Sequence, residues 1–191
     1  MSDKKNKLII ITAPSGAGKT SITRHLLNAF PELEFSVSAA TRPARSYEKD
    51  GKDYYFITQE EFHEKIRANE FVEWEMVYEG KYYGTLKSEL QRIWRINKIP
   101  VLDIDVKGAI HVMGQYPDTS LSIFIMPPSL DELKKRLLSR GTETDDTLQA
   151  RISKASYEIS FKEHFHHEII NRDLPTAQKQ AEEIVRWFLS V

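Results

Sequence analysis

Leu8 to Ile11 is an unbroken apolar, largely β-branched run, and it is followed after a short polar stretch by Ile22, Leu26, Leu27 and Phe30 at helical spacing. A run this apolar predicts a strand buried on both faces, and the spacing behind it predicts a helix over 21–30. Glu34 to Ala40 and Asp53 to Ile57 then predict strands, separated by a polar, basic segment with a turn at Lys49, Asp50 and Gly51. Thr58 with Glu61 three residues later is a capping-box pattern, and Phe62 and Ile66 carry a helix behind it to about Asn69. From Phe71 the chain alternates Glu73, Glu75, Val77 with Trp74, Met76, Tyr78. Glu79 and Gly80 turn it back through Lys81 to Thr85, the pattern of a β-hairpin. Trp74, Trp94 and Trp187 all fall at apolar positions and are expected in the core.

Beyond the hairpin the pattern alternates between helix and strand. Leu86, Leu90 and Ile93 mark a helix; Ile99 to Ile104 is an apolar strand around two acids, Asp103 and Asp105; a helix follows from Lys107 to about Gln115. Leu121 to Met126 is another buried strand, stopped by Pro127 and Pro128. Ser129 caps the next helix with Glu132 in the box position and Gly141 just past its end. The polar stretch Thr142 to Thr147 leads to a helix through Leu148, Ile152, Ala155 and Ile159, a short strand from Glu168 to Asn171, and an amphipathic helix from Thr176 to Leu189. Strands and helices in turn predict a parallel sheet covered on both faces, with ligands at the carboxyl ends of its strands. The stretch 36–85 has antiparallel β character and is expected as a subdomain inserted into that α/β core.

Composition narrows the function classes. In 191 residues, 27 basic and 28 acidic side chains leave a net charge of -1, so nothing draws the protein to nucleic acid or a membrane surface, and small-molecule chemistry fits better. With no cysteine, disulfides and thiolate metal sites are excluded. The N-terminal apolar run is too short for a signal or membrane segment, and a cytoplasmic location is expected.

The polar stretch behind the first strand is Ala13, Pro14, Ser15, Gly16, Ala17, Gly18, Lys19, Thr20. Between strand and helix this is a phosphate-binding loop. Gly16 and Gly18 let backbone N–H groups converge on phosphate oxygens, Lys19 reaches the terminal phosphates, and the Thr20 hydroxyl can ligate Mg2+. A triphosphate site calls for a carboxylate near the metal, and Asp103 at a strand end supplies one. Arg42 and Arg45, with Tyr54, form either a receptor for a second phosphate or a solvated basic loop. Arg136, Arg140 and Arg151 around the polar 142–147 segment form either a lid over the triphosphate or a solvated helix face. His164, His166 and His167 lack an accompanying carboxylate pattern and are expected as surface or packing side chains.

Taken together the motifs resemble the guanylate kinases over nearly the whole chain. The matching stretches are P-S-G-A-G-K-T, S-V-S, T-R-P-A-R, G-K-D-Y-Y-F, F-V-E-W, Y-Y-G-T, L-D-I-D-V-K-G, K-K-R-L with S-R-G-T-E-T, and I-I-N-R-D. The resemblance implies a P-loop kinase core with a central parallel sheet flanked by helices (1–35, 86–128, 156–191), an inserted mixed β GMP-binding subdomain (36–85) and a helical lid (129–155). It implies ATP-dependent phosphorylation of GMP, and of dGMP, with ATP and Mg2+ as cofactors, by a monomer or homodimer. Ser38, Glu73, Thr85 and Asp105 would contact guanine, and Arg42, Arg45, Tyr54 and Tyr83 would hold its phosphate. Asp103 would lie near the metal, Arg136, Arg140 and Arg151 would stabilise the transferring group, and Asn171 would lie near adenine. The departures are Ala13 for glycine, Thr85 for serine and a longer turn at Glu79. A GTPase also fits D-x-x-G at Asp105–Gly108, but N-K-x-D fails because Pro100 follows Ile99. A protein-binding module of scaffold type is disfavoured by the intact Lys19 and Thr20.

Overall fold

Leu8–Thr12 (β1) is central in a five-stranded sheet in a computed structural model that describes residues 6–139 and 145–191, apart from the side chains of Tyr78 and of 145–147. The remaining strands of this sheet are Leu33–Phe35 (β2), Ile99–Asp103 (β7), Ser120–Met126 (β8) and His167–Ile170 (β9), in the order β2-β7-β1-β8-β9, all parallel. Ile9 and Ile11 point into one buried layer, with Ile22 and Leu26 of helix Lys19–Ala29 (α1) and Ala181 and Val185 of helix Leu174–Ser190 (α7). Leu8 and Ile10 point into the other, with Leu90 of helix Lys87–Arg95 (α3) and Val112 of helix Val106–Gln115 (α4). Both faces of β1 are thus dry, which is why its sequence is apolar without alternation.

The second sheet holds Ala39–Ala40 (β3), Tyr55–Phe56 (β4), Phe71–Tyr78 (β5) and Lys81–Leu86 (β6) in the order β4-β3-β6-β5. β5 and β6 form the expected hairpin, with Gly80 at φ 68 in its turn. Helix Gln59–Arg67 (α2) starts with the predicted capping box between Thr58 and Glu61, and its Phe62 stacks on Phe71 with ring centres 4.4 Å apart. Two helices, Leu130–Leu138 (α5) and Asp145–Ile159 (α6), pack together through Leu133, Leu137, Leu148 and Ala155. Gly141, expected beyond α5, lies outside the described residues.

Two expectations change. The single strand expected over Glu34–Ala40 is two strands in different sheets. Ser36 still donates its N–H to Val101 of the core, whereas Ser38 accepts from Tyr55 of the insert, so the chain changes sheets between them. Alternating apolar residues read the same on either side of such a crossing. Trp74 and Trp187 are not core residues but 42% and 57% exposed. Strand alternation separates two faces without saying which is inward, and in β5 the face carrying Glu73 is inward. Trp74 instead packs edge-on against Phe62 from outside. Trp94 is partly buried and donates its indole N–H to the Lys7 carbonyl. His166 Nδ1 accepts from the Ser122 N–H, and His164 Nδ1 lies 3.1 Å from the Phe161 carbonyl, so these rings serve local packing.

Candidate active site

Two cavities open at the carboxyl end of the core sheet. The larger, about 760 Å³, lies against the loop between β1 and α1. Gly16 and Gly18 have φ of 95° and 102°, where other residues are strained, and both are also packed tightly. A Cβ at Gly16 would lie 3.0 Å from Leu133 of α5, and one at Gly18 would collide with the side-chain amide of Asn171. No side chain caps the start of α1, so its first N–H groups face the cavity, beside Lys19 and Thr20. Ala13, Pro14, Ser15, Gly16 and Gly18 also line it, whereas Ala17 is fully buried. From α6, Arg151 reaches the loop, donating to Ser15 Oγ at 3.3 Å, and Lys154 and Glu158 complete that wall. Glu158 is a buried carboxyl with its pKa pushed up by desolvation.

The smaller cavity, about 370 Å³, lies between the carboxyl end of the core sheet and the second sheet. Ser38, Arg42, Arg45, Tyr54, Glu73 and Tyr83 all line it, and it shares Ser15, Lys19, Arg45 and Asp105 with the larger one. The parallel register sets Asp103 beside Ile11, at the foot of the loop, and its carboxylate pairs directly with the Lys19 ammonium. The two cavities meet at this ion pair.

At one end of the smaller cavity the Arg42 guanidinium lies 4.9 Å over the Tyr54 ring and donates through Nε to the Tyr83 hydroxyl at 3.2 Å. Its other edge makes a fork with Glu48 at 2.6 and 2.7 Å, and Glu48 also accepts from the Arg45 N–H. Those bonds hold the Glu48 carboxyl down at about 2. Burial raises the Tyr54 hydroxyl.

At the opposite end sits Glu73, 6% exposed. Thr85, its cross-strand partner, donates its hydroxyl to the carboxylate at 2.6 Å. Burial pushes the Glu73 carboxyl up to about 7, opposed by the Thr85 hydrogen bond and reinforced by the charge of Asp105. Asp105 lines the same cavity and caps α4, accepting from the Gly108 N–H at 2.8 Å. Gly108 is the floor under Glu73: a Cβ there would lie 2.6 Å from Glu73 Oε2.

The structure therefore gathers most of the residues singled out by sequence, and leaves some elsewhere. Thr85 is fully buried beneath Glu73, not on the cavity wall. Asn171 is buried under the loop, donating to the Ala17 carbonyl at 2.8 Å. Arg136 is tied to Glu132 and to the Asn171 carbonyl, the latter at 3.0 Å. Arg140 lies outside the described residues. Sequence reasoning gave no role to Glu48, Glu75, Gly108 and Glu158; of these Glu75 had a signal in its period-two relation to Glu73, and Gly108 in the stretch L-D-I-D-V-K-G that it ends.

The family model described as guanylate kinase matches residues 5–187. The chain belongs to the guanylate kinase family. Guanylate kinases of Bacteroides fragilis and Porphyromonas gingivalis are 43% and 45% identical to it over 185 residues, spanning 97% and 96% of this chain and 91% and 98% of theirs. The crystal structure of guanylate kinase from Anaplasma phagocytophilum superposes with a TM-score of 0.76 at 32% identity, over 94% of this chain and 84% of that one. A shikimate kinase from Acinetobacter baumannii, 14% identical with a TM-score of 0.50 over 98% of this chain and 95% of that one, shares the fold alone. Family membership makes the chain a nucleotide-using phosphotransferase. Among the described residues no helix is long and apolar enough to cross a membrane.

Proposed function

We infer that the two cavities are the donor and acceptor halves of one phosphoryl-transfer site, in which ATP phosphorylates GMP to GDP and dGMP is an alternative acceptor. As a guanylate kinase family member the chain acts on GMP. The observation that carries the finer assignment is the meeting of a phosphate loop and a carboxylate-floored, arginine-ended cavity at the Lys19–Asp103 pair.

In this assignment the ATP phosphates rest on residues 13–20, with Lys19 leaving Asp103 for the phosphate oxygens. GMP lies along the smaller cavity, its phosphate on Arg42, Arg45, Tyr54 and Tyr83 and its base on Glu73, with Ser38 and Asp105 beside it. A carboxylate can accept from guanine N1–H and the exocyclic amine together; adenine presents a lone pair to it instead, and an unmatched buried charge rejects it. Thr85 and Gly108 position Glu73. Arg151 approaches the transferring group, joined by Arg136 and Arg140 when 129–155 closes as a lid over the core (1–35, 86–128, 156–191) and the acceptor subdomain (36–85). Asn171 holds the loop on the adenine side.

Thr20 and Asp103 suit a magnesium ion: a hydroxyl on the wall of the phosphate cavity and a carboxylate on the wall of the adjoining smaller one would supply the one or two oxygens such an ion takes from protein. When bound, Mg2+ neutralises phosphate charge. No general base is required, because a nucleoside monophosphate is largely dianionic at neutral pH. Alignment and cationic stabilisation supply the rate, and closure excludes water.

Incubation with ATP, Mg2+ and a panel of nucleoside monophosphates, following ADP, tests the assignment. ADP formation that depends on GMP is expected, and equal use of AMP or UMP overturns it. The raised Glu73 pKa adds a pH dependence. Only the ionised carboxylate accepts from guanine, so GMP binding below about pH 7 must expel a proton. The KM for GMP should rise about tenfold per pH unit as pH falls below 7, while the KM for ATP stays level; parallel changes in both would exclude Glu73 as the titrating group.

A further inference from the structure

We propose that Glu75 accepts hydrogen bonds from the ribose hydroxyls of the acceptor nucleotide, and so sets a preference for ribonucleoside over deoxyribonucleoside monophosphates. The proposal rests on the assignment of the smaller cavity to GMP. Glu75 follows Glu73 by two residues on β5 and shares its face, and both line that cavity. The hairpin register places the two carboxylates in sequence along it: Glu73 is opposite Thr85, and Glu75 is opposite Tyr83. The base-reading group thus comes first; Tyr83 shares the rung of Glu75, and its ring carries the hydroxyl beyond that rung to Arg42 Nε at 3.2 Å, where the phosphate receptor begins. One step of two residues is about 7 Å, comparable to the span from the Watson–Crick edge of a purine nucleotide to its sugar. Whatever chemistry lies between base and phosphate meets Glu75, and in a nucleotide that is the ribose.

The charge balance narrows the partner. Glu75 is half-buried, and among the described residues its carboxylate accepts no hydrogen bond and joins no ion pair. The cations that line the cavity are paired elsewhere: Arg42 with Glu48 on one edge and Tyr83 at Nε, Lys19 with Asp103, and Arg45 with Glu48. A carboxylate left this way beside a phosphate receptor repels the phosphate and gains only from neutral donors. The acceptor offers two sets of them, base N–H groups and sugar hydroxyls, and Glu73 takes the first. The two oxygens of Glu75 match a vicinal 2′,3′-diol, each accepting one O–H.

Steady-state rates with GMP, 2′-dGMP and 3′-dGMP at saturating ATP, for the wild type, Glu75→Gln and Glu75→Ala, test this, with thermal melts to establish that each variant is folded. The wild type should prefer GMP over either deoxy analogue by about tenfold in kcat/KM. Glu75→Ala should lose about tenfold on GMP and little on the deoxy analogues, so that the ratio collapses towards one, with the KM for ATP unchanged. Equal losses on all three acceptors, equal gains on all three, or no preference in the wild type each overturn the proposal. If Glu75→Ala collapses no ratio while Glu73→Gln still raises the KM for GMP, the ribose contact fails and the acceptor assignment stands. If Glu73→Gln leaves GMP use intact, the acceptor assignment itself fails.

Discussion

Replacing Lys19 by alanine is expected to lower GMP-dependent ADP formation by about a thousandfold while leaving the fold intact. The ammonium sits where the two cavities join, paired with Asp103 and 3.5 Å from the Ile104 carbonyl. In the proposed site, charge develops on the transferring phosphoryl group at that junction, and removing one preorganised cationic donor from such a place typically costs two to three orders of magnitude, about 3 to 4 kcal/mol. The stability effect should be small, because Lys19 and Asp103 are partly open to solvent and water can take over the carboxylate. Arginine should not rescue: its planar fork is bulkier than an ammonium and the loop is tightly packed at Gly16 and Gly18. Steady-state kinetics with a parallel melt decide the matter, and a Lys19→Ala protein within tenfold of wild type would remove Lys19 from the chemistry.

The second large effect is expected from a methyl group. Glycine inside a helix ordinarily costs about 1 kcal/mol relative to alanine, so Gly108→Ala in α4 would stabilise an isolated helix. Here the space is taken: the new carbon would lie 2.6 Å from Glu73 Oε2 and 3.2 Å from its Cδ. Glu73 cannot retreat easily, since it is buried and fastened to Thr85. The carboxylate must shift by a good fraction of an ångström, and misplacement on that scale costs up to about a hundredfold. We expect the KM for GMP to rise between tenfold and a hundredfold, with the KM for ATP unchanged. Shortening the side chain in the same protein, as Gly108→Ala with Glu73→Asp, should recover part of the loss. If Gly108→Ala alone raises the KM for ATP equally, the glycine serves the helix and not the base-reading carboxylate.

How much of this was legible in the sequence depends on the range of the interaction. The core strands were legible because burial on both faces leaves an uninterrupted apolar run, as at Leu8–Ile11. The capping box at Thr58 and the hairpin at 71–85 were legible because their determinants lie within a few residues of each other. The change of sheet at Val37 was not, since the groups that define it are distant: Val37 donates its N–H to Glu89, 52 residues on. The inward face of β5 was misjudged for a related reason. A core needs its apolar face inside, but a ligand cavity inverts that rule and leaves Trp74 outside. Glu48 carried no pattern at all, and its fork with Arg42 is visible only in three dimensions.

The bond from Asn171 to Ala17 spans 154 residues and joins the residue just after the last strand to the first loop. During synthesis the phosphate loop is among the first segments made, yet β1 lacks both sheet neighbours until residues 99–126 exist, and the loop lacks its underlying amide until residue 171 does. The phosphate loop of a nascent chain therefore lacks its full support until nearly all of the chain has been translated. Premature termination anywhere before residue 171 leaves the loop without that amide beneath it.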